Sequence, residues 1–133
     1  MFSVATARAL LLTLSAASAA AMVYVGAYQI RLVEHMSCPL LKHGCEAVAD
    51  APFARPFGIP DGLIAAAVYG LLVLLVLFAP VSWGHHAIRA LAIVAGLANI
   101  LGVYDMSRFG AYCFYCLLTT VLSPLLVWMA FLI

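Results

Sequence analysis

Two cysteine pairs are the residues of this 133-residue chain whose type and spacing could do chemistry: Cys113 with Cys116, and Cys38 with Cys45. Paired thiols cycle between dithiol and disulfide, lock a fold as a lasting disulfide, or bind a soft metal. Cys113-Phe114-Tyr115-Cys116 opens the last long apolar run, which continues to Ile133. On a helix this spacing puts both thiols on one face. A helix N-terminus, with its free N–H groups and positive dipole end, also stabilises a thiolate, and Arg108 lies one short turn upstream. A lasting disulfide closing so small a loop would constrain almost nothing. The pair therefore reads as redox-active.

Cys38 and Cys45 are seven residues apart in the one long polar segment. In an unbroken helix their Cα atoms would be about 10 Å apart, whereas a disulfide requires less than about 7 Å. Pro39 and Gly44 between them break a helix and let the segment fold back. Three readings stay open on the residues alone: a second exchanging pair, a structural loop disulfide, or a metal site of Cys38, His43 and Cys45 with His35.

The elements that must position these cysteines follow from composition. Hydrophobic residues make up 68% of the chain and charged residues 8%, against about 45–50% and about 25% in soluble domains. The chain reads as an integral membrane protein, with no net basic field for nucleic acid. A spanning helix needs about 20 apolar residues, and four such runs are predicted: about 9–30, 63–79, 87–104 and 113–133. The first resembles a signal peptide in its Arg8, Leu-rich run and small residues. Its apolar stretch continues past any cleavage site, so a retained span is expected. Pro124 falls inside the fourth run, and the small residues 15–21 of the first suit close packing. The expected architecture is an all-α four-transmembrane-helix bundle, residues 1–133 forming a single membrane domain.

Residues 31–60 form a capping loop that holds most of the charged residues, with a short helix expected near Glu46–Ala51. Phe53, Phe57 and Ile59 recur there among Pro and Gly and are expected to cover the space between the helices. Short connections are predicted at 80–86 and 105–112. Four crossings place both cysteine pairs on the same side, whichever way the chain is inserted. A raw Lys/Arg count (Arg31, Lys42, Arg55 and Arg108 against Arg8 and Arg89) would put that side in the cytoplasm. Dithiol chemistry favours the extracytoplasmic, oxidising side, and that orientation is the expectation adopted.

Taken together, Cys38-Pro39, Gly44-Cys45-Glu46, Phe57-Gly58-Ile59-Pro60 before the second span, and Cys113-x-x-Cys116-Leu-Leu-Thr-Thr opening the last span resemble the vitamin K epoxide reductase family. The resemblance covers nearly the whole chain. It implies a four-helix bundle around a quinone of ubiquinone, menaquinone or vitamin K type, with electrons arriving from a thioredoxin-like protein. On that pattern Cys38 is the shuttle thiol that meets the partner, Cys45 passes electrons to Cys113, and Cys116 faces the quinone. Asp61, Phe57, Asn99 and Thr120 are the residues expected around the quinone. Asp61 and Asn99 also have plainer readings, as a helix cap and as an interhelical hydrogen-bonding residue.

Departures from the family pattern bear on activity. Ala51 and Phe53 stand where many members have serine and tyrosine, and Thr120 stands where vertebrate members have a tyrosine. Plain quinone reduction is thus expected rather than epoxide reduction. Many bacterial members carry a fused thioredoxin-like domain; here the partner is expected to be a separate chain of the type that oxidises exported proteins at a bacterial inner membrane. Disulfide-bond-formation protein B carries its Cys-x-x-Cys in the first external loop, the reverse of the order here. The rival from another class is a non-catalytic, metal-handling membrane protein using Cys38, Cys45 and His43. Other polar residues have local readings: His85 and His86 in a loop on the far side, Tyr28, Tyr104, Tyr112 and Trp128 in interfacial belts, Tyr115 pointing outward, and Asp105 paired with Arg108.

Overall fold

The computed structural model describes residues 3–33, 44–50, 52, 58–78, 81–110 and 112–132. Its helices are α1 (Val4–Gln29), α2 (Gly44–Ala49), α3 (Asp61–Phe78), α4 (Val81–Phe109) and α5 (Phe114–Leu132). All but α2 are long and apolar enough to cross a membrane, and the chain is an all-α integral membrane protein. In the bundle α1 packs on α3, α3 on α4, α4 on α5 and α5 back on α1. Outward faces carry exposed Leu74, Phe78, Leu97, Ile100, Val121 and Trp128, as a lipid-facing surface requires.

Polar contacts at the two ends fix the up-down order. At one end Arg8 of α1 donates to the Val76 carbonyl of α3, and Arg89 of α4 donates to the Ala130 carbonyl of α5 at 3.2 Å. Both guanidinium groups thus reach carbonyls in the last turns of their neighbours, where a helix lacks internal donors. At the other end lie the end of α1, the starts of α3 and α5, and the end of α4. Cys113 and Cys116 are at this second end.

Helix α4 is longer than the predicted 87–104, starting at Val81 and running to Phe109. Hydropathy reads the apolar thickness, whereas the backbone keeps its i to i−4 bonds until something breaks them. Here the break is Gly110, at φ +90°. His85 and His86 therefore lie on the first turns of α4 rather than in a loop. The expected Asp105–Arg108 pair does not form among the described residues: Arg108 instead donates to the Tyr104 hydroxyl at 3.4 Å. Tyr28 is also not a belt residue. It is 4% exposed, and its hydroxyl donates to Asp50 at 2.8 Å.

The crossing of α1 and α3 is set by two glycines. A Cβ on Gly62 would lie 2.7 Å from the Gly26 nitrogen and 2.6 Å from Gln29 Oε1, so the backbones meet where a side chain would stand. Helix α1 then ends with the Arg31 N–H on the Tyr28 carbonyl and the Leu32 N–H on the Ala27 carbonyl. That closure puts Arg31 at φ 67°, a conformation usually given to glycine.

Deeper in the bundle, Ser15 and Ser18 of α1 are fully buried, and among the described residues their hydroxyls have no partner. An unmet buried hydroxyl costs more than a methyl group in its place. Ser15→Ala and Ser18→Ala are expected to stabilise the protein by roughly 1 kcal/mol each, read as a higher unfolding midpoint in detergent. A lower midpoint would show that the hydroxyls are needed.

Candidate active site

Cys113 lies immediately before α5, and its carbonyl accepts the Leu117 N–H at 3.0 Å. Cys113 is therefore the N-cap of α5, the position from which a side chain faces the free backbone N–H groups of the first turn. Its own N–H points to Met106 Sδ of α4 at 3.4 Å, and the residue is fully buried. The hydrogen bond from the Cys116 thiol holds the Cys113 thiol below its ordinary range; burial opposes this, and the backbone donors reinforce it. A thiol held low in this way is a good leaving group in disulfide exchange.

One turn on, Cys116 lines a cavity of about 370 Å³ enclosed by α1, α2, α3, α4 and α5. Asp61, Asn99 and Thr120 line the same cavity, with Tyr69, Asp105 and Thr119 as its other polar residues. Met22, Val48, Ile64, Val68, Ala95 and Met106 are among its apolar walls. Its size is within the roughly 300–1,000 Å³ of small-molecule sites, and a mostly apolar wall with a few convergent polar groups is what such sites share. A second hollow, about 540 Å³, lies between α4 and α5 and is walled by residues such as Ile93, Leu97, Val127 and Trp128. Among the described residues no cysteine lines it, and Thr120 borders both hollows.

Two hydrogen-bond groups hold this cavity in shape. In the first, Asn99 of α4 donates to the Tyr69 hydroxyl of α3 at 2.9 Å and to Ser123 Oγ of α5 at 2.5 Å. Thr119 Oγ1 reaches Asn99 Oδ1 at 3.3 Å, so one amide ties three helices, as an interhelical residue should. In the second, Gln29 of α1 donates to the Ala49 carbonyl of α2 at 3.1 Å and to Asp61 Oδ1 at 3.0 Å, and accepts from the Gly62 N–H at 3.0 Å. Asp61 is the first residue of α3, where a carboxylate also meets the positive end of the helix dipole. Gln29 is 3% exposed. It joins the end of α2 to the start of the α3 wall.

Cys45 lies in α2, three residues before Val48, which is buried and lines the cavity. Cys38, His35, His43, Ala51, Phe53 and Phe57 are outside the described residues. Tyr115, expected to point outward, packs its ring edge-on against Tyr24 of α1, with centroids 5.3 Å apart. That contact fastens the Cys-x-x-Cys turn to α1. Among the described residues no group of three or more His, Cys, Asp or Glu could hold a metal ion.

The family model described as the vitamin K epoxide reductase family matches residues 9–131. The chain belongs to the vitamin K epoxide reductase family. Comparison with curated proteins and with solved structures gave no match. Membership makes the chain a member of an oxidoreductase family, and its four apolar helices place it in the bilayer. Thr120 donates its hydroxyl proton to the Cys116 carbonyl at 2.7 Å.

Sequence reasoning missed two residues of this site. Tyr69 sits mid-span in α3, away from either interface, and is 2% exposed. A tyrosine at that depth needs a partner for its hydroxyl, and this was the available signal. Gln29, the last residue of α1, had no comparable signal, because a polar residue at a helix end reads as the start of the loop.

Proposed function

We propose that this protein is a quinone-dependent thiol oxidoreductase that draws electrons from a thioredoxin-like donor and so supports disulfide formation in exported proteins. The observation that carries the reading is the position of Cys116. Among the described residues it is the cysteine that lines the cavity, while Cys113 caps α5 beside it and α2, the helix of Cys45, packs on α1 and α5. The proposed path runs from the partner to Cys38 and Cys45, then to Cys113 and Cys116, and then to the quinone. Each exchange forms one disulfide and breaks another. In the last step the Cys113–Cys116 dithiol closes to a disulfide, and its two electrons and two protons pass to the quinone, which leaves as hydroquinone.

The cavity residues suit such a substrate. Apolar walls make up most of the lining beside Cys116, and Asp61, Asn99 and Thr120 are grouped around the same space. The low-lying Cys113 thiol favours the second half of the exchange, in which Cys38 would attack Cys45 of a Cys45–Cys113 mixed disulfide and displace Cys113 as a thiolate. We place both cysteine pairs on the extracytoplasmic face of a bacterial inner membrane, where an oxidising compartment supplies the partner.

The test is alkylation of the fully reduced protein in detergent, read by mass, before and after adding ubiquinone or menaquinone. Cys113 and Cys116 are expected to become protected together by one of these quinones. If all four thiols remain free with both, the reading fails. Metal bound in fixed ratio and lost on replacing Cys38 or Cys45 would then favour the metal-handling rival.

A further inference from the structure

The hydroxyl and amide protons around the cavity can be accounted for one by one. A serine or threonine hydroxyl has one proton to donate and a neutral side-chain amide has two. Thr120 donates its proton to the Cys116 carbonyl at 2.7 Å, and Ser123 donates to the Thr119 carbonyl at 2.9 Å. Thr119 has the Cys116 carbonyl at 2.9 Å and Asn99 Oδ1 at 3.3 Å, so its proton is taken in either case. Asn99 gives its two amide protons to Tyr69 and Ser123. Asp61 and Asp105, when ionised, only accept.

Tyr69 differs from all of these. Its oxygen accepts from Asn99, and among the described residues no acceptor is within reach of its own proton. The residue is 2% exposed and lines the cavity with Cys116. A buried O–H with no acceptor is costly, unless what enters the cavity brings one. The carbonyl oxygens of a quinone are such acceptors, whereas the hydroxyls of Thr119 and Thr120 have no proton left to offer.

We propose that Tyr69 donates the hydrogen bond that seats a carbonyl oxygen of the quinone, with Asn99 as the residue that positions the phenol. The inference rests on the quinone-reducing reading above and names the donor within it. Accepting from Asn99 polarises the phenol and strengthens its donation. A bond to one carbonyl oxygen draws charge from the ring and fixes its face relative to Cys116.

The experiment uses the full chain in detergent and short-chain ubiquinone carrying ¹³C at its carbonyl carbons, followed by infrared difference spectroscopy. Bound to the wild type, one carbonyl band is expected at lower wavenumber than in free ubiquinone. Tyr69→Phe is expected to return that band to the free position and to raise the Kd about 3- to 10-fold, the size of one hydrogen bond. Tyr112→Phe, on the exposed turn before α5, is expected to change neither. Should Tyr69→Phe fail to fold, ring-labelled tyrosine in the unmodified chain gives the same reading, through a shift of the phenol C–O band when ubiquinone binds.

An unshifted carbonyl in the wild type, a shift retained in Tyr69→Phe, or an unmoved phenol band overturns the assignment of Tyr69. These results are independent of the alkylation test. If ubiquinone oxidises Cys113 and Cys116 while the bands stay still, the oxidoreductase reading stands and the Tyr69 donor is wrong. If ubiquinone binds with shifted bands but never oxidises the thiols, the reverse holds.

Discussion

Cys116→Ala is expected to lower quinone reduction by about a thousandfold or more, the scale on which removal of an attacking nucleophile is felt. With dithiothreitol as electron donor, the loss is read as the disappearance of quinone absorbance. The expectation comes from position. Among the described residues Cys116 is the only thiol lining the cavity, while Cys113 is fully buried as the cap of α5. Alanine keeps the helix, since Cys116 lies in the first turn of α5 and alanine is a good helix former. The carbonyl of residue 116, which receives Thr119 and Thr120, is unchanged as well. Cys113→Ala is also expected to stop turnover, because one thiol cannot close a disulfide, but it should leave the thiol of Cys116 open to alkylation from the cavity. A Cys116→Ala protein retaining more than about a tenth of the rate would remove this residue from the reaction.

The second large effect is structural. Gly62→Ala is expected to destabilise the bundle by about 1–3 kcal/mol, the usual cost of forcing an extra methyl into a close-packed contact. Its new Cβ would lie 2.7 Å from the backbone nitrogen and 3.0 Å from the Cα of Gly26, atoms that cannot rotate away. Either α1 and α3 separate, or Gln29 releases the Gly62 N–H and shifts from Asp61. Gly70→Ala is the matching control on the same helix. Nothing lies within 4 Å of a Cβ there, so alanine is expected to be neutral or to stabilise by up to about 1 kcal/mol through helix propensity. Thermal unfolding of the two variants in one detergent decides the matter. Equal midpoints would show that the glycine crossing does not hold α1 to α3.

The spans were legible because lipid imposes a length on apolar runs that sequence displays directly. The ends of α4 were not, because His85, His86, Asp105 and Arg108 look like loop residues although their backbone stays helical. Cys116, Asp61, Asn99 and Thr120 were expected around one site through the resemblance to the family, and they line one cavity. Asn99 was readable in type but not in number of partners. That one amide meets Tyr69, Thr119 and Ser123 depends on how three helices are rotated, which hydropathy does not encode. Tyr28 misled for a related reason: a tyrosine near a span end suits the interface, and only the fold brings Asp50 to its hydroxyl.

The bond from Gln29 to the Ala49 carbonyl also sets a limit on travel. It anchors the C-terminal end of α2, and Cys45 stands four residues before that anchor, about 6 Å along the helix axis. While the bond and the helix persist, Cys45 is at the tip of a short lever, and its swing is an arc of roughly that radius. Such an arm can tip toward the start of α5 or away from it, but it cannot carry the backbone of residue 45 far from the bundle. On the proposed path, exchange between Cys45 and Cys113 would then take place at the rim of the bundle, with the side chain of Gln29 as its fulcrum.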